Sequence, residues 1–321
     1  MRVLVTGATS LIGRAIVERL VTRGDEVVTL QRRPSGLGVE DVVGSITDPT
    51  TVARACAGID AVVHLAARVG ATGDWIDYET VNVHGSTIVL EAAQRAGVAA
   101  FVHVSSPSVA HAGHSLSGAG ADPADPGRTR GHYATSKALA ERVALAAHSE
   151  AMSVVAIRPH LVWGPGDAQL VGRIIERAQH GRLALVGTGA ALVDTTYVDN
   201  AAEALIAAVD RGSQLGGRSF VISNGEPRTV AELVHRILAA AGVDWTERRV
   251  PEQIARAGGA LVEWVWNRTD RTDDPPMTAF LAEQLATAHW FDQREARAAL
   301  AWHPSVSLAT GFERLAASFR C

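Results

Sequence analysis

Residues 2–34, RVLVTGATSLIGRAIVERLVTRGDEVVTLQRRP, decide the fold. The run RVLVT is short, apolar and β-branched, as a buried strand is. It ends in TGATSLIG, where Gly7 and Gly13 punctuate a tight turn. Beyond the turn, Ile12, Ile16 and Leu20 recur every four residues and give a helix one apolar stripe, which Gly24 brings to a stop. EVVTL then reads as a second buried strand. A strand, turn, helix and strand in this order predict a βαβ crossover in a parallel sheet. The N–H groups at the start of such a helix face outward and suit a pyrophosphate, although a Gly-rich turn also serves plain packing of helix on strand.

The same alternation continues through AVVHLAA (61–67), a helix from about Tyr78 to Ala96, AFVHVSS (100–106) and SVVAIRP (153–159). The expected class is α/β: a Rossmann-type doubly wound parallel sheet with a smaller, mostly helical C-terminal substrate lobe. Residues 1–160 form the dinucleotide-binding domain, with 194–224 packing back on it. From about Leu161 strands become sparse, and residues 161–193 and 225–321 make the lobe. The stretch 111–131, rich in Gly, Ala, Asp and Pro, reads as a loop.

Composition excludes several classes. A net charge of −4 and no basic run leave nothing to neutralise a nucleic acid or an anionic membrane. Cys56 and Cys321 are the only cysteines, so neither a disulfide framework nor a metal site is expected, and a reducing cytoplasm fits. The chain starts at once with a strand, leaving no room for a signal peptide, and its most apolar late run, ALVEWVW (260–266), is short and carries Glu263. No integral membrane segment is expected; weak membrane contact stays open.

Taken in order, TGATSLIG (6–13), HLAA (64–67), NVHGS (82–86), VSSPSV (104–109), YATSK (133–137) and RPHLVWGPGD (158–167) resemble the short-chain dehydrogenase/reductase superfamily over nearly the whole chain. The length and the C-terminal lobe resemble its extended branch, the NAD-dependent epimerase/dehydratase fold. That branch usually has a glycine where this chain has Ser10, so the turn alone does not assign the branch. The resemblance implies that Gly7, Thr9, Ser10, Leu11, Ile12, Gly13, Ser45, Ile46, Leu65, Ala66, Ala67, Pro159, Leu161 and Val162 lie along the cofactor, together with Tyr133 and Lys137.

Lys137 is the only lysine beside twenty-nine arginines (thirty Lys and Arg in all), and it stands four residues after Tyr133. A phenol with an ordinary pKa of about 10 is a poor acid–base group at neutral pH, and a fixed cation beside it stabilises the phenolate. Four residues along a helix place both on one face. A compact ammonium can also bind two ribose hydroxyls, which a planar guanidinium does not reproduce. The ordinary alternative is a surface Tyr and Lys on an amphipathic helix. Ser106, at the end of a parallel strand, is the candidate to polarise a substrate carbonyl, with Ser108 as the neighbouring choice. Asn82 matches a position that in the superfamily helps order the site or a proton-relay water; a locally satisfied helix residue is the other reading. Asp199 with Asn200 reads as a helix N-cap.

Cofactor choice is legible in VVTLQRRP (27–34). An NAD enzyme needs a carboxylate at this strand end for the ribose 2′-OH; here stand Gln31, Arg32 and Arg33, which suit a 2′-phosphate, unless the arginines merely solvate a loop. NADP(H) is expected in preference to NAD(H). The function read from these signals is reduction of a ketone, or oxidation of a secondary alcohol, on a bulky apolar small-molecule substrate. The chain most resembles the branch of 3β-hydroxysteroid dehydrogenases and 2-alkyl-3-oxoalkanoate reductases. The alternative is a nucleotide-sugar epimerase or dehydratase, whose relatives commonly carry an arginine where VDTTYVDN (193–200) has Val193, and an asparagine where RPHLVWG has His160. A cofactor-bound regulatory role is a third class. The tryptophans of the C-terminal region suit either a pocket or a core, and a homodimer is compatible with the family.

Overall fold

The computed structural model describes residues 1–70, 73–110, 115–266, 268–269 and 278–320, with only the backbone of Phe280 and Leu281. Cys321, the start of the expected loop at 111–114 and residues 270–277 of the expected lobe lie outside the described residues.

Seven strands form one parallel sheet: β1 (Arg2–Thr6), β2 (Glu26–Gln31), β3 (Glu40–Val43), β4 (Ala61–His64), β5 (Ala100–Val104), β6 (Ser153–Pro159) and β7 (Ser219–Ile222). Their spatial order is β7-β6-β5-β4-β1-β2-β3. The order reverses between β1 and β4, so a crevice opens at the carboxyl ends of these two strands. Alternation along β1 sends Val3 and Val5 to one face, where they meet Ile16 and Leu20 of helix α1 (Leu11–Arg23) and Leu205 of the helix Val198–Asp210. Leu4 goes to the other face, with Val62 and Phe101, and is covered by Val52 of α2 (Pro49–Cys56) and by Val89 and Leu90 of α3 (Gly85–Ala96). Burying each such side chain is worth ~1.5–3 kcal/mol, which is why the sheet reads as unbroken apolar runs.

α1 ends as expected: Gly24 adopts φ 91° and its N–H reaches the carbonyls of Leu20 and Val21. The helix expected over 78–96 is real but interrupted. An α-turn at Trp75–Tyr78 runs into a π-helical turn, Glu79–His84, before α3 begins. π-turns are rare and cluster at functional sites.

The C-terminal lobe is mostly helical and also holds a four-stranded sheet in the order Arg228–Thr229, Leu192–Val193, His289–Phe291 and Leu116–Ala119. The last strand comes from the stretch read as a loop. Its sequence, LSGA, has little strand propensity; parallel pairing with His289–Phe291 supplies the ladder that local sequence does not. No described helix is long and apolar enough to cross a membrane.

Candidate active site

The turn after β1 explains which glycines are needed. Gly7 adopts φ 71°, and a Cβ there would stand 2.9 Å from the Ala66 nitrogen. A Cβ on Gly13 would stand 2.5 Å from the Gly7 carbonyl oxygen, so α1 starts directly against the strand exit. Ser10 has an ordinary φ of −68° and caps α1: its hydroxyl accepts from the Gly13 N–H at 3.1 Å and donates to the Gly7 carbonyl at 2.8 Å. The missing middle glycine is therefore no defect. Facing the turn at the end of β4, Leu65, Ala66 and Ala67 are half-buried, and the Ala66 N–H donates to the Thr6 hydroxyl at 3.1 Å. Past β3, Ile46 is core and Ser45 bonds Thr47 at 2.7 Å.

At the end of β2 the Gln31 carboxamide oxygen accepts from the Thr9 N–H at 3.2 Å, while its buried amide nitrogen has no hydrogen-bond partner among the described residues. Arg32 and Arg33 are exposed. The crevice, the backbone cradle against which any Cβ would clash and the orphaned Gln31 donor fit a dinucleotide.

A second group gathers where β5 ends. Helix α4 (His132–Ala146) carries Tyr133 and Lys137 one turn apart. Tyr133 is half-buried and hydrogen-bonded to Ser106, whose hydroxyl lies 2.9 Å from that of Ser108. Lys137 is buried and donates to the Val104 carbonyl at 2.6 Å. Asn82, in the π-turn, fills its carboxamide: the oxygen accepts from the Arg68 N–H at 2.7 Å, and the nitrogen donates to the Arg68 carbonyl at 3.0 Å and the Ser136 hydroxyl at 2.9 Å. Ser136 in turn donates to the Tyr133 carbonyl at 2.8 Å. Asn82 thus ties the loop after β4 to the first turn of α4.

Burial, opposed by the Coulombic pull of Glu141, pushes the Lys137 ammonium down to about 8. Burial also raises the Tyr133 phenol above its ordinary value; the hydrogen bond with Ser106 acts against the rise and Tyr78 adds to it. The expected direction for Tyr133 was downward. It fails in the protein taken alone because desolvation outweighs the stabilising contacts, and the ammonium is engaged by a backbone carbonyl. Behind Lys137, burial drives His64 down to about 3 and His103 well below its ordinary value, with the ammonium adding to both.

Sequence reasoning missed the pair that sits under Lys137. Glu141 and Arg158, both fully buried, are joined by two hydrogen bonds, and the Arg158 guanidinium also donates to the Asp122 carbonyl at 2.7 Å. The signal was present: Glu141 lies one turn beyond Lys137, and Arg158 opens RPHLVWG. Asp199 is not the N-cap of its helix, because Tyr197 holds that position; Asp199 sits in the first turn, paired with Arg19 and Arg314. Asn200 is buried and bonds Asn224 and the Val306 carbonyl.

A pocket of about 120 Å³, partly open to solvent, lies in the lobe between the helices Val171–Gln179, Val230–Ala240 and Leu308–Ser318. Leu161, Trp163, Ile174, Val193, Leu233 and Ile237 are among its lining residues. Leu161, at φ 41°, belongs both to this wall and to the turn after Pro159. Val162 pairs with Thr196. Between Leu261 and Phe291 only Gln284, Leu285 and His289 are described as lining it. The C-terminal tryptophans do not: Trp302 is core and Trp264 is exposed.

Fold and cradle define an NAD(P)-binding protein of the Rossmann class. Residues 3–223 match the model of the NAD dependent epimerase/dehydratase family. Over 327 residues, 99% of both chains, the protein is 42% identical to a 2-alkyl-3-oxoalkanoate reductase of Stenotrophomonas maltophilia. It is 32% identical to a 3-beta-hydroxysteroid dehydrogenase of Mycolicibacterium neoaurum, over 94% of this chain and 87% of that one. Among solved structures, the dTDP-glucose 4,6-dehydratase DesIV of Streptomyces venezuelae with NAD bound matches with a TM-score of 0.76 and 26% identity, over 100% of this chain and 97% of that one. The chain belongs to the NAD-dependent epimerase/dehydratase family, the extended short-chain dehydrogenase/reductases, and is an oxidoreductase of the CH–OH/ketone couple.

Proposed function

We propose that this protein is an NADP(H)-dependent reductase of bulky apolar 3-oxo acids, with Tyr133 as proton donor. The observation that carries the proposal is the lobe pocket. Among the described residues no lysine or arginine lines it, and Val193 stands in its wall where sugar-nucleotide relatives commonly carry an arginine. A diphosphate left unpaired in such a cleft is costly, whereas each buried methylene gains ~0.8 kcal/mol.

Gly7, Thr9, Ser10, Leu11, Ile12 and Gly13 would hold the pyrophosphate through the start of α1, and Gln31, Arg32 and Arg33 the 2′-phosphate end. Ser45, Ile46, Leu65, Ala66 and Ala67 would lie along the nucleotide, and Pro159, Leu161 and Val162 beside the nicotinamide, which supplies a hydride to the carbonyl carbon. As the new C–H bond forms, the carbonyl π pair moves onto oxygen, which takes the phenolic proton of Tyr133. Ser106 donates to that oxygen as its charge develops, and Lys137 stabilises the phenolate left behind. Ser108 keeps the Ser106 hydroxyl oriented. Asn82 is a positioning residue, since its carboxamide is wholly engaged by Arg68 and Ser136. The dinucleotide unit comprises 1–160 with 194–224, and the substrate lobe 161–193 with 225–321, to which Leu116–Ala119 adds a strand.

The deciding experiment follows NADPH oxidation with a 2-alkyl-3-oxo acid and a 3-ketosteroid, with NADH in parallel, and product formation from dTDP-glucose or UDP-glucose, which an epimerase or dehydratase turns over with no net consumption of cofactor. Turnover of an apolar ketone, faster with NADPH, is expected. Turnover of the sugar nucleotide alone would establish the epimerase/dehydratase reading instead.

A further inference from the structure

Three buried titratable side chains meet where β6 leaves the sheet. His160 Nδ1 is hydrogen-bonded to Asp194 Oδ1, and its Nε2 lies 3.1 Å from Nδ1 of His289. His289 Nε2 lies 3.0 Å from the Gln284 carbonyl oxygen. The other Asp194 oxygen accepts from the Ser223 hydroxyl at 2.7 Å and the Phe291 N–H at 2.9 Å. All three side chains are nearly or wholly buried.

Counting protons along this chain gives a definite result. A carbonyl oxygen only accepts, so His289 Nε2 carries a hydrogen. A carboxylate accepts, so His160 Nδ1 carries another. Two neutral imidazoles in those tautomers would set lone pair against lone pair across 3.1 Å. The contact forms only with one further proton between the rings, so the two histidines together form one imidazolium, balanced by Asp194. Among the described neighbours, Ser223 and Gln293 are neutral, Phe291 packs edge-on against the His160 ring at 5.0 Å, and Glu283 is held by Arg130.

We infer that Asp194, His160 and His289 form a proton-bridged clasp that sets the wall of the apolar pocket and so controls affinity for the apolar part of the substrate. Each member is, or adjoins, a residue of that wall: Leu161 follows His160, Val193 precedes Asp194, and His289 lines the pocket itself. Leu161 holds a left-handed backbone conformation that leucine rarely adopts, so something must anchor it. The anchors are the His160 side chain, the His160 carbonyl, which accepts from the Thr196 hydroxyl at 2.7 Å, and the Leu161 carbonyl, which accepts from the Thr196 N–H at 3.3 Å. The clasp joins the turn leaving the large sheet to the two central strands of the small one. These three are positioning residues, and their effect on substrate rests on the pocket being the substrate's.

The test has two arms. Spectra of protein labelled with ¹⁵N-histidine should show three imidazole N–H groups for this pair, the bridging one disappearing in His289→Phe. Finding only two, with His160 Nε2 and His289 Nδ1 both bare, would overturn the proposal whatever the substrate. In kinetics with a long-chain 2-alkyl-3-oxo acid, His289→Phe should raise KM by about tenfold or more, the scale of a lost charge-assisted hydrogen bond, with a smaller change in kcat. His289→Gln, which keeps a donor toward His160, should restore KM. An unchanged KM in His289→Phe, or a Gln variant as impaired as Phe, would reject the clasp. If the 3-oxo acid is not a substrate at all, the proposed function fails while the spectral arm still decides the proton bridge.

Discussion

Lys137 shows how one residue is placed under two opposed demands. Burial penalises its charge, holding the ammonium near 8, while Glu141 one turn along supports it. The sign of the resulting pH dependence follows: a lysine whose folded value lies below its unfolded value destabilises the fold while protonated, and the penalty fades as pH rises from about 8 toward the ordinary 10.5. Stability should therefore increase over that window. In Lys137→Met the increase should vanish and stability at pH 7 should rise by about 1–3 kcal/mol, read by urea denaturation at several pH values. The same variant should lose turnover under the proposed role of Lys137 in stabilising the phenolate. Reductive kcat/KM of the wild type should fall as pH climbs through about 8. For Tyr133→Phe the expected outcome is a loss of kcat of ~100-fold or more with NADPH binding retained, measured by cofactor fluorescence beside steady-state rates. A variant keeping more than about a tenth of the activity would remove Tyr133 from its role.

Secondary-structure ends do most of the positioning. The exit of β1 and the first turn of α1 pack so closely that two glycines are obligatory, whereas Ser10 is free to be a cap. The exit of β2 presents Gln31 inward, with an unused amide nitrogen, and then two exposed guanidinium groups. Replacing Arg32 and Arg33 together by alanine should weaken NADPH by about tenfold or more and leave NADH nearly unchanged, since charge-assisted bonds to phosphate are worth ~1.5–3 kcal/mol and only one cofactor offers the group. Equal losses for both, by calorimetric titration, would show that the arginines only solvate the loop. The π-turn at Glu79–His84 shifts the helical register by one residue just where Asn82 clamps Arg68 and Ser136. Its placement links the nucleotide side of the crevice to the helix of Tyr133.

At the scale of the molecule the substrate question becomes one of shape. The pocket lies between lobe helices and meets the cofactor-side turn at Leu161. Affinity for a series of 3-oxo acids should gain up to ~0.8 kcal/mol per added methylene and then level off when the pocket is full. Ile237→Trp, at the wall, should move the plateau to shorter chains without abolishing turnover of short ones, measured as kcat/KM against chain length. A flat series in the wild type would mean that the alkyl chain lies elsewhere.

The Rossmann sheet, its Gly-rich turn and the placing of Tyr133 and Lys137 on one helix were legible in sequence because each depends on local rules: apolar runs for buried strands, a four-residue stripe for a helix on a sheet, glycine where backbone meets backbone. The lobe was not legible in the same way. Leu116–Ala119 has no strand signal of its own and becomes a strand only because His289–Phe291 lies beside it. The raised phenol of Tyr133 arises from burial by distant segments, and the C-terminal tryptophans divide between core and surface according to contacts made across the chain. The Asp194–His160–His289 chain joins residues up to 129 positions apart, each ordinary in its own neighbourhood. Local sequence determines which elements form and which face each buries. Burial, proton sharing and pocket shape depend on what the folded chain brings opposite each residue, and only the tertiary structure decides that.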